Sequence, residues 1–176
     1  FFHSVSARTA GFSTYSIGSF TNAGLFVLII LMFIGASPGS TGGGIKTTTF
    51  FALMQEVRTV ISKRRAGAFH RTLPDEVLRK SSVIALLSVL VVCIGTFLLC
   101  ILEPEYDFIQ LVFEVVSAFG TVGLSTGITP DLGVLSKLII ILTMYTGRLG
   151  AFTLLSIWIN RPDPSAHYTE EQIMIG

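Results

Sequence analysis

The sequence predicts an all-α integral membrane protein made of repeated helix–half-helix–loop–helix units. Three observations carry that prediction. The 176 residues are 51% hydrophobic and 13% charged, with a mean hydropathy of +0.72, whereas a soluble domain carries about 25% charge. The apolar residues are gathered into long runs. Residues 82–102, SVIALLSVLVVCIGTFLLCIL, hold no charge and reach the ~20 residues that cross a bilayer. The chain also repeats itself. ARTAGFSTYS (7–16) lines up with FGTVGLSTGI (119–128) at an offset of 121 − 9 = 112, and the offset continues without a gap through Ile29/Ile141, Met32/Met144 and Gly35/Gly147. A unit of that length occurring at fixed spacing is an internal repeat.

The elements follow in order. Residues 1–60 read as the end of one unit: the end of a half-helix, a loop around Thr9–Thr14, and a long inner helix. From about residue 20 to 62 a single straight helix would measure ~63 Å, roughly twice the hydrocarbon thickness. A break is therefore expected, and Pro38 with the Gly42, Gly43, Gly44 run supplies it. Residues 61–78 read as a basic linker. Seven Lys and Arg lie between Arg58 and Lys80, while EPEYD at 103–107 has none. The positive-inside rule puts the linker in the cytoplasm and 103–107 outside. Residues 79–160 read as a complete unit: an outer helix to 102, a half-helix over 107–119 with Asp107 as N-cap, a loop, and an inner helix over 134–159. The half-helix is too short to span, so it dips in and returns. Residues 161–176 form a cytoplasmic tail. Cys93 and Cys100 sit about 10 Å apart along one helix, too far for a disulfide. The chain begins without methionine, inside a half-helix, and is expected to be a fragment. His3, His70 and His167 have no metal-ligand spacing.

The chemistry is concentrated in the two repeated loops. Thr9, Ala10, Gly11, Phe12 and Thr121, Val122, Gly123, Leu124 form T-x-G triplets, each after an apolar half-helix and before a long apolar run. A dehydrated cation needs a ring of oxygens, and backbone carbonyls provide them when glycine allows the required conformations. The loops resemble the T-V-G-Y-G selectivity filter of potassium channels. The resemblance implies a potassium-channel-like fold of helix–pore-loop–helix repeats, two of a presumed four being present, since a carbonyl cage needs four loops. Glu114, on the half-helix, reads as a hydrogen-bonding residue rather than an ion ligand. Lys137 is expected to snorkel.

GASPGSTGGGIKTTT (35–49) admits two readings. A phosphate-binding loop would be G-x-x-x-x-G-K-[ST]. Here Ile45 intervenes between Gly44 and Lys46, which turns the lysine by about 100°, and no strand precedes. The alternative is a deliberate break lining a path. The 112-residue offset aligns Ala36 with Arg148, so the segment and this arginine should lie at one depth below the loops. An arginine inside a span costs at least ~2.5–3.5 kcal/mol and is a functional hypothesis by default. Arg148 can offset that cost by donating to carbonyls of the segment, and its charge opposes cation passage. Pro38, Gly39, Ser40, Thr41, Gly42, Gly43, Gly44, Lys46 and Arg148 are the candidate gate.

SARTAGFST (6–14), GSTGGGIKTTTF (39–50), FEVVSAFGTVGLSTGITP (113–130) and MYTGRLGAFTL (144–154) together resemble the C-terminal half of the Trk/Ktr/HKT family of cation transporters, and the short tail points to a KtrB-like membrane subunit of the Ktr branch. The resemblance implies four fused units in one polypeptide, a homodimer in the cell membrane, and a cytoplasmic ring of nucleotide-binding, KtrA-like regulatory subunits. The expected function is translocation of potassium, with sodium as the second candidate or coupled ion. No enzymatic chemistry, no bound cofactor and no nucleic-acid partner is expected. The competing readings are a membrane scaffold with structural re-entrant loops and, more remotely, a P-loop nucleotide-binding protein.

Overall fold

The structure is a computed structural model that describes residues 1–62, 67–68 and 71–150. Its helices are α1 (Phe2–Ser6), α2 (Asn22–Phe33), α3 (Thr47–Ser62), α4 (Asp75–Leu102), α5 (Phe108–Phe119) and α6 (Val134–Leu149), with one 3-10 turn at Ile17–Ser19. Among the described residues the chain departs from an all-helical description at two places, an isolated bridge between Ile34 and Ile45 and a two-residue ladder. Gly67–Ala68 (β1) pairs antiparallel with Arg71–Thr72 (β2) between α3 and α4.

The helix α5 is the hub. It starts where Asp107 takes an extended N-cap conformation and its N–H donates to the Gln110 side chain at 3.3 Å, half of a capping box. Leu111, Val115 and Ala118, spaced i, i+4, i+7, pack with Leu99 of α4, Ile140 of α6, and Ile128 and Leu132 of the loop between α5 and α6. Phe113 and Val116, on another face, pack with Leu25, Leu28, Ile29 and Met32 of α2. A short helix so covered on both faces is a core element, and its polar Glu114 and Ser117 are buried as well. Close approach is arranged by glycines. A Cβ on Gly95 of α4 would stand 3.1 Å from the Val115 Cγ1, and one on Gly147 of α6 only 1.9 Å from the Phe119 carbonyl oxygen.

The helix α4 is the described element long and apolar enough to cross a membrane. Its 28 residues measure about 42 Å, more than the ~30 Å hydrocarbon core. It begins at Asp75, so residues 75–78, expected in the linker, are helical, as are residues 61–62 at the end of α3. The cause is local. Pro74 is the N-cap, and Asp75 and Glu76 stand in the first turn, where negative charge meets the positive end of the helix dipole. At the other end of α4, Glu103 Oε1 accepts from Gly133 N–H and Ser136 Oγ, each at 2.7 Å, tying the α4 terminus to the start of α6. Chiefly the Gly133 N–H, then the Ser136 hydroxyl, hold the Glu103 carboxyl below its ordinary pKa.

Two inner-helix expectations are corrected. The first break does not begin at Pro38. The helix α2 ends at Phe33, and Ile34 pairs parallel with Ile45. Gly35 N–H donates to Ile45 O at 2.8 Å and Ile45 N–H to Phe33 O at 3.2 Å. A Cβ on Gly35 would lie 2.1 Å from the Gly43 carbonyl oxygen. The chain leaves the helix at 34 because it closes on itself there, and Pro38 merely sits within the loop that results. Nor is 134–159 one helix. The helix α6 stops at Leu149, and Gly150 has φ +83°; residues 151–159 and the expected 161–176 tail lie outside the described residues.

Candidate functional site

The two T-x-G loops share one backbone signature. Thr9 and Gly11 have φ of +70° and +73°, and Thr121 and Gly123 have +51° and +89°. A β-branched residue with positive φ is a genuine outlier, and here it recurs at both triplets. Each loop is anchored to the helix before it. Ser6 Oγ donates to the Phe12 carbonyl, and Ser117 Oγ to the Leu124 carbonyl at 2.5 Å. The second loop is held further by Glu114. This buried carboxylate accepts from Ser125 Oγ (2.7 Å), Thr126 N–H (2.8 Å), Thr126 Oγ1 (3.1 Å) and Thr129 Oγ1 (2.7 Å). With every contact made to its own loop, Glu114 is a bracket that fixes residues 125–129 on α5.

The side chains of Val122, Leu124, Thr126 and Ile128 are buried, while the residues between them are not. The loop thus anchors alternate side chains in the core and leaves backbone on the other side open. The two loops touch: a Cβ on Gly11 would lie 2.2 Å from the Val122 carbonyl oxygen. Beyond the triplets, residues Ser13–Ile17 and Ser125–Gly127 line an open cavity of about 390 Å³.

The glycine-rich segment lies against the threonine end of both triplets. Gly43 is buried and its N–H donates to Thr121 Oγ1 at 2.7 Å. A Cβ on Gly42 would meet Thr9 Cγ2 at 2.8 Å, and one on Gly43 would meet Thr121 Cγ2 at 2.7 Å and the Phe119 carbonyl oxygen at 2.9 Å. Three cations hold the segment by its carbonyls. Arg148 Nη1 donates to Thr41 O. Lys46 Nζ donates to Gly42 O at 2.5 Å and Ser40 O at 3.1 Å, so the lysine is folded onto its own loop. Arg8 Nη1 donates to Ile34 O at 3.0 Å and Gly35 O at 3.3 Å.

The fold therefore gathers Thr9, Thr121, Thr41, Gly42, Gly43, Lys46 and Arg148 into one cluster. It leaves Pro38 and Gly39 exposed, the latter with no atom within 4 Å of its Cβ direction. Ala10 and Phe12 are exposed too; Phe12 is 74% exposed, whereas its counterpart Leu124 is 2%. Lys137, nearer the other end of α6, donates to Pro130 O at 2.8 Å. Arg8, Ser6 and Ser117 are absent from the residues that the sequence singles out. The available signal for Arg8 is its place one residue before Thr9, where the second loop has Gly120.

The TrkH family model, described as a cation transport protein, matches residues 1–168. The chain belongs to the TrkH family. Within that family it is 40% identical over 178 residues to the Ktr system potassium uptake protein D of Bacillus subtilis, covering 99% of this chain and 39% of that protein. It is 39% identical over 183 residues to the potassium/sodium uptake protein NtpJ of Enterococcus hirae, covering 100% of this chain and 41% of that one. The helical fold is similar to the crystal structure of the potassium transporter TrkH from Vibrio parahaemolyticus, with a TM-score of 0.72 at 24% identity, over 88% of this chain and 35% of that one. This TrkH-family chain thus spans about two fifths of the length of the curated relatives it matches.

Proposed function

We propose that this chain forms part of the potassium path of a membrane transporter, with the two T-x-G loops as half of a selectivity filter and the 36–44 segment as a gate beneath it. The reading is carried by one observation: Gly42 and Gly43 sit directly against Thr9 and Thr121, with the Gly43 N–H bonded to Thr121 Oγ1 at 2.7 Å. A segment in that position stands in the way of an ion leaving the threonines.

The filter chemistry follows from the backbone. An extended chain points successive carbonyls to opposite sides. Changing the hand of alternate residues, as at Thr9/Gly11 and Thr121/Gly123, turns successive carbonyls toward one side. Oxygens so presented replace the hydration shell of an incoming ion. The serine contacts to the Phe12 and Leu124 carbonyls and the Glu114 bracket hold the loops in that strained form, so ordering is not left to the ion. Two more loops from the remainder of the protein complete the ring. Below it, the positive charges of Arg148 and Lys46 oppose a cation, and the segment closes the space. Potassium is the primary ion, in keeping with the names of the relatives, with sodium as the second candidate.

The segment is held largely by hydrogen bonds, so its displacement exchanges those partners for water. Regulation would act on this equilibrium: a homodimeric subunit in the cell membrane, seated on a cytoplasmic nucleotide-binding ring, with the basic 61–78 stretch on the cytoplasmic side.

The test is deletion of Ser40–Gly43 in the full-length protein, reconstituted in proteoliposomes without regulatory subunits. Potassium flux should rise while the potassium-to-sodium ratio stays as in wild type. Lower maximal flux in correctly inserted protein would make the segment a support of the pore instead of its gate.

A further inference from the structure

We propose that Arg8 is a positioning residue that latches the hinge of the glycine-rich segment and so sets how often the path opens; the inference rests on the gating reading above. Arg8 lies between the short helix α1 and Thr9, and its Nη1 donates to the carbonyls of Ile34 and Gly35 at 3.0 and 3.3 Å. These residues lie just past the last turn of α2. A helix end leaves carbonyls without intrahelical partners and carries partial negative charge. A guanidinium placed there compensates both effects, and its Nη1 serves the two oxygens at once.

The comparison with the second loop gives the direction of the effect. The residue before Thr121 is Gly120, and a Cβ there would lie 2.8 Å from the Met32 carbonyl oxygen. Yet Thr121 and Gly123 take the same left-handed conformations as Thr9 and Gly11. A T-x-G loop therefore needs no arginine at this place for its own shape. Arg8 serves Ile34 and Gly35, not the loop that contains it. Arg148 holds the same segment at Thr41, near its tip, so the hinge and the tip are each pinned by an arginine from a different part of the chain. The side chain of Arg8 is exposed, which makes the contact a releasable one. Because Arg8 and Thr9 are consecutive, a shift in the first loop also moves the latch.

A solvent-exposed hydrogen bond of ordinary net strength, present in one of two conformers, shifts their ratio by roughly three- to tenfold. Arg8→Gln, Arg8→Lys, deletion of Ser40–Gly43, and the deletion combined with Arg8→Gln should be compared in the full-length protein in proteoliposomes. Three quantities are read: potassium flux, the potassium-to-sodium flux ratio, and the rate at which a water-soluble thiol reagent modifies Ala36→Cys, a half-buried position of the segment that the deletion retains, in a Cys93→Ser, Cys100→Ser background. Arg8→Gln should raise flux and labelling rate together by roughly three- to tenfold, with the ion ratio unchanged; Arg8→Lys should fall between it and wild type. In the deletion background Arg8→Gln should add nothing to flux. A changed ion ratio would mean that Arg8 supports the filter and would overturn the latch. Unchanged flux and labelling in Arg8→Gln, with the deletion raising flux, would also overturn it while leaving the gate intact. If Arg8→Gln does not assemble, an Arg8→Lys protein equal to wild type in both readouts overturns it. If the deletion itself fails to raise flux, the gate reading falls, and the latch falls with it.

Discussion

Replacing Gly43 by alanine places one methyl group where the structure has no room for it. The new carbon would stand 2.7 Å from Thr121 Cγ2, 2.9 Å from Thr121 Oγ1 and 2.9 Å from the Phe119 carbonyl oxygen. Carbon atoms rest at about 3.5–4.0 Å, so the segment must withdraw by roughly 1 Å. Phe119 O is backbone at the end of α5 and cannot swing aside, and Thr121 is β-branched and stiff. Overpacking of this kind costs roughly 1–3 kcal/mol. The cost falls on the closed position alone, because a displaced segment no longer faces Thr121. The closed-to-open ratio should then fall by about 5- to 150-fold. Gly39→Ala is the comparison. It meets no atom within 4 Å but has φ +84°, so it carries only the conformational cost of a left-handed residue, roughly 1 kcal/mol, and should raise flux less. The assay is potassium and sodium flux from proteoliposomes holding full-length protein, with the unfolding temperature measured alongside. Folded Gly43→Ala protein whose flux matches or falls below wild type, or is exceeded by that of Gly39→Ala, would refute the reasoning that the segment obstructs the path at Thr121.

Gly11→Ser should be more damaging than Gly123→Ser, since its side chain meets the Val122 carbonyl 2.2 Å away whereas Gly123 has open space. Both should weaken growth of a potassium-uptake-deficient host at low potassium, and wild-type growth with either one would count against the filter assignment. The Glu103 contact to Gly133 and Ser136 should weaken in acid. Its carboxyl is held below its ordinary pKa of 4.5, so the stabilisation is full above that value and disappears as pH falls through the lower folded-state pKa. The gap in melting temperature between wild type and Glu103→Gln should be present at pH 7 and close at low pH; a gap independent of pH would show that the ionised form does not matter.

Residue 107 shows what local sequence can specify. Asp107 and Gln110 supply a cap, the i, i+4, i+7 apolar spacing follows, and the glycine at 120 ends the pattern; every determinant lies within fourteen residues, and the helix appears where it is read. The end of α2 has no such local sign. The apolar run continues through Ile34, and the chain turns there because Ile45 and the Gly43 carbonyl come back onto it. The start of α4 is hidden by a different effect: Asp75 and Glu76 read as linker charge, although at a helix N-terminus the same charges are stabilising. Gly150 is ambiguous because membrane helices tolerate glycine. In the cluster, Thr9 and Thr121 are conspicuous through their recurrence at one offset. Arg8 is not, since its acceptors lie 26 and 27 residues away and an arginine next to a loop carries no periodic signal.

The contacts of the glycine-rich segment also impose an order on synthesis. Its partner at Thr121 lies 78 residues later in the chain and its partner Arg148 lies 107 residues after Thr41. At about 5–20 residues per second, a nascent chain that has released Thr41 waits on the order of 5–20 s before Arg148 has even been made. For most of that interval, until Thr121 is made, the segment has only Lys46 and Arg8 among these partners to hold it. A chain halted before α6 would leave the Thr41 carbonyl without its arginine, with a loose, protease-accessible loop, and it could be told from the finished protein on that account. The helix α6 thus completes this site, because its arrival supplies the arginine tether of a segment translated long before.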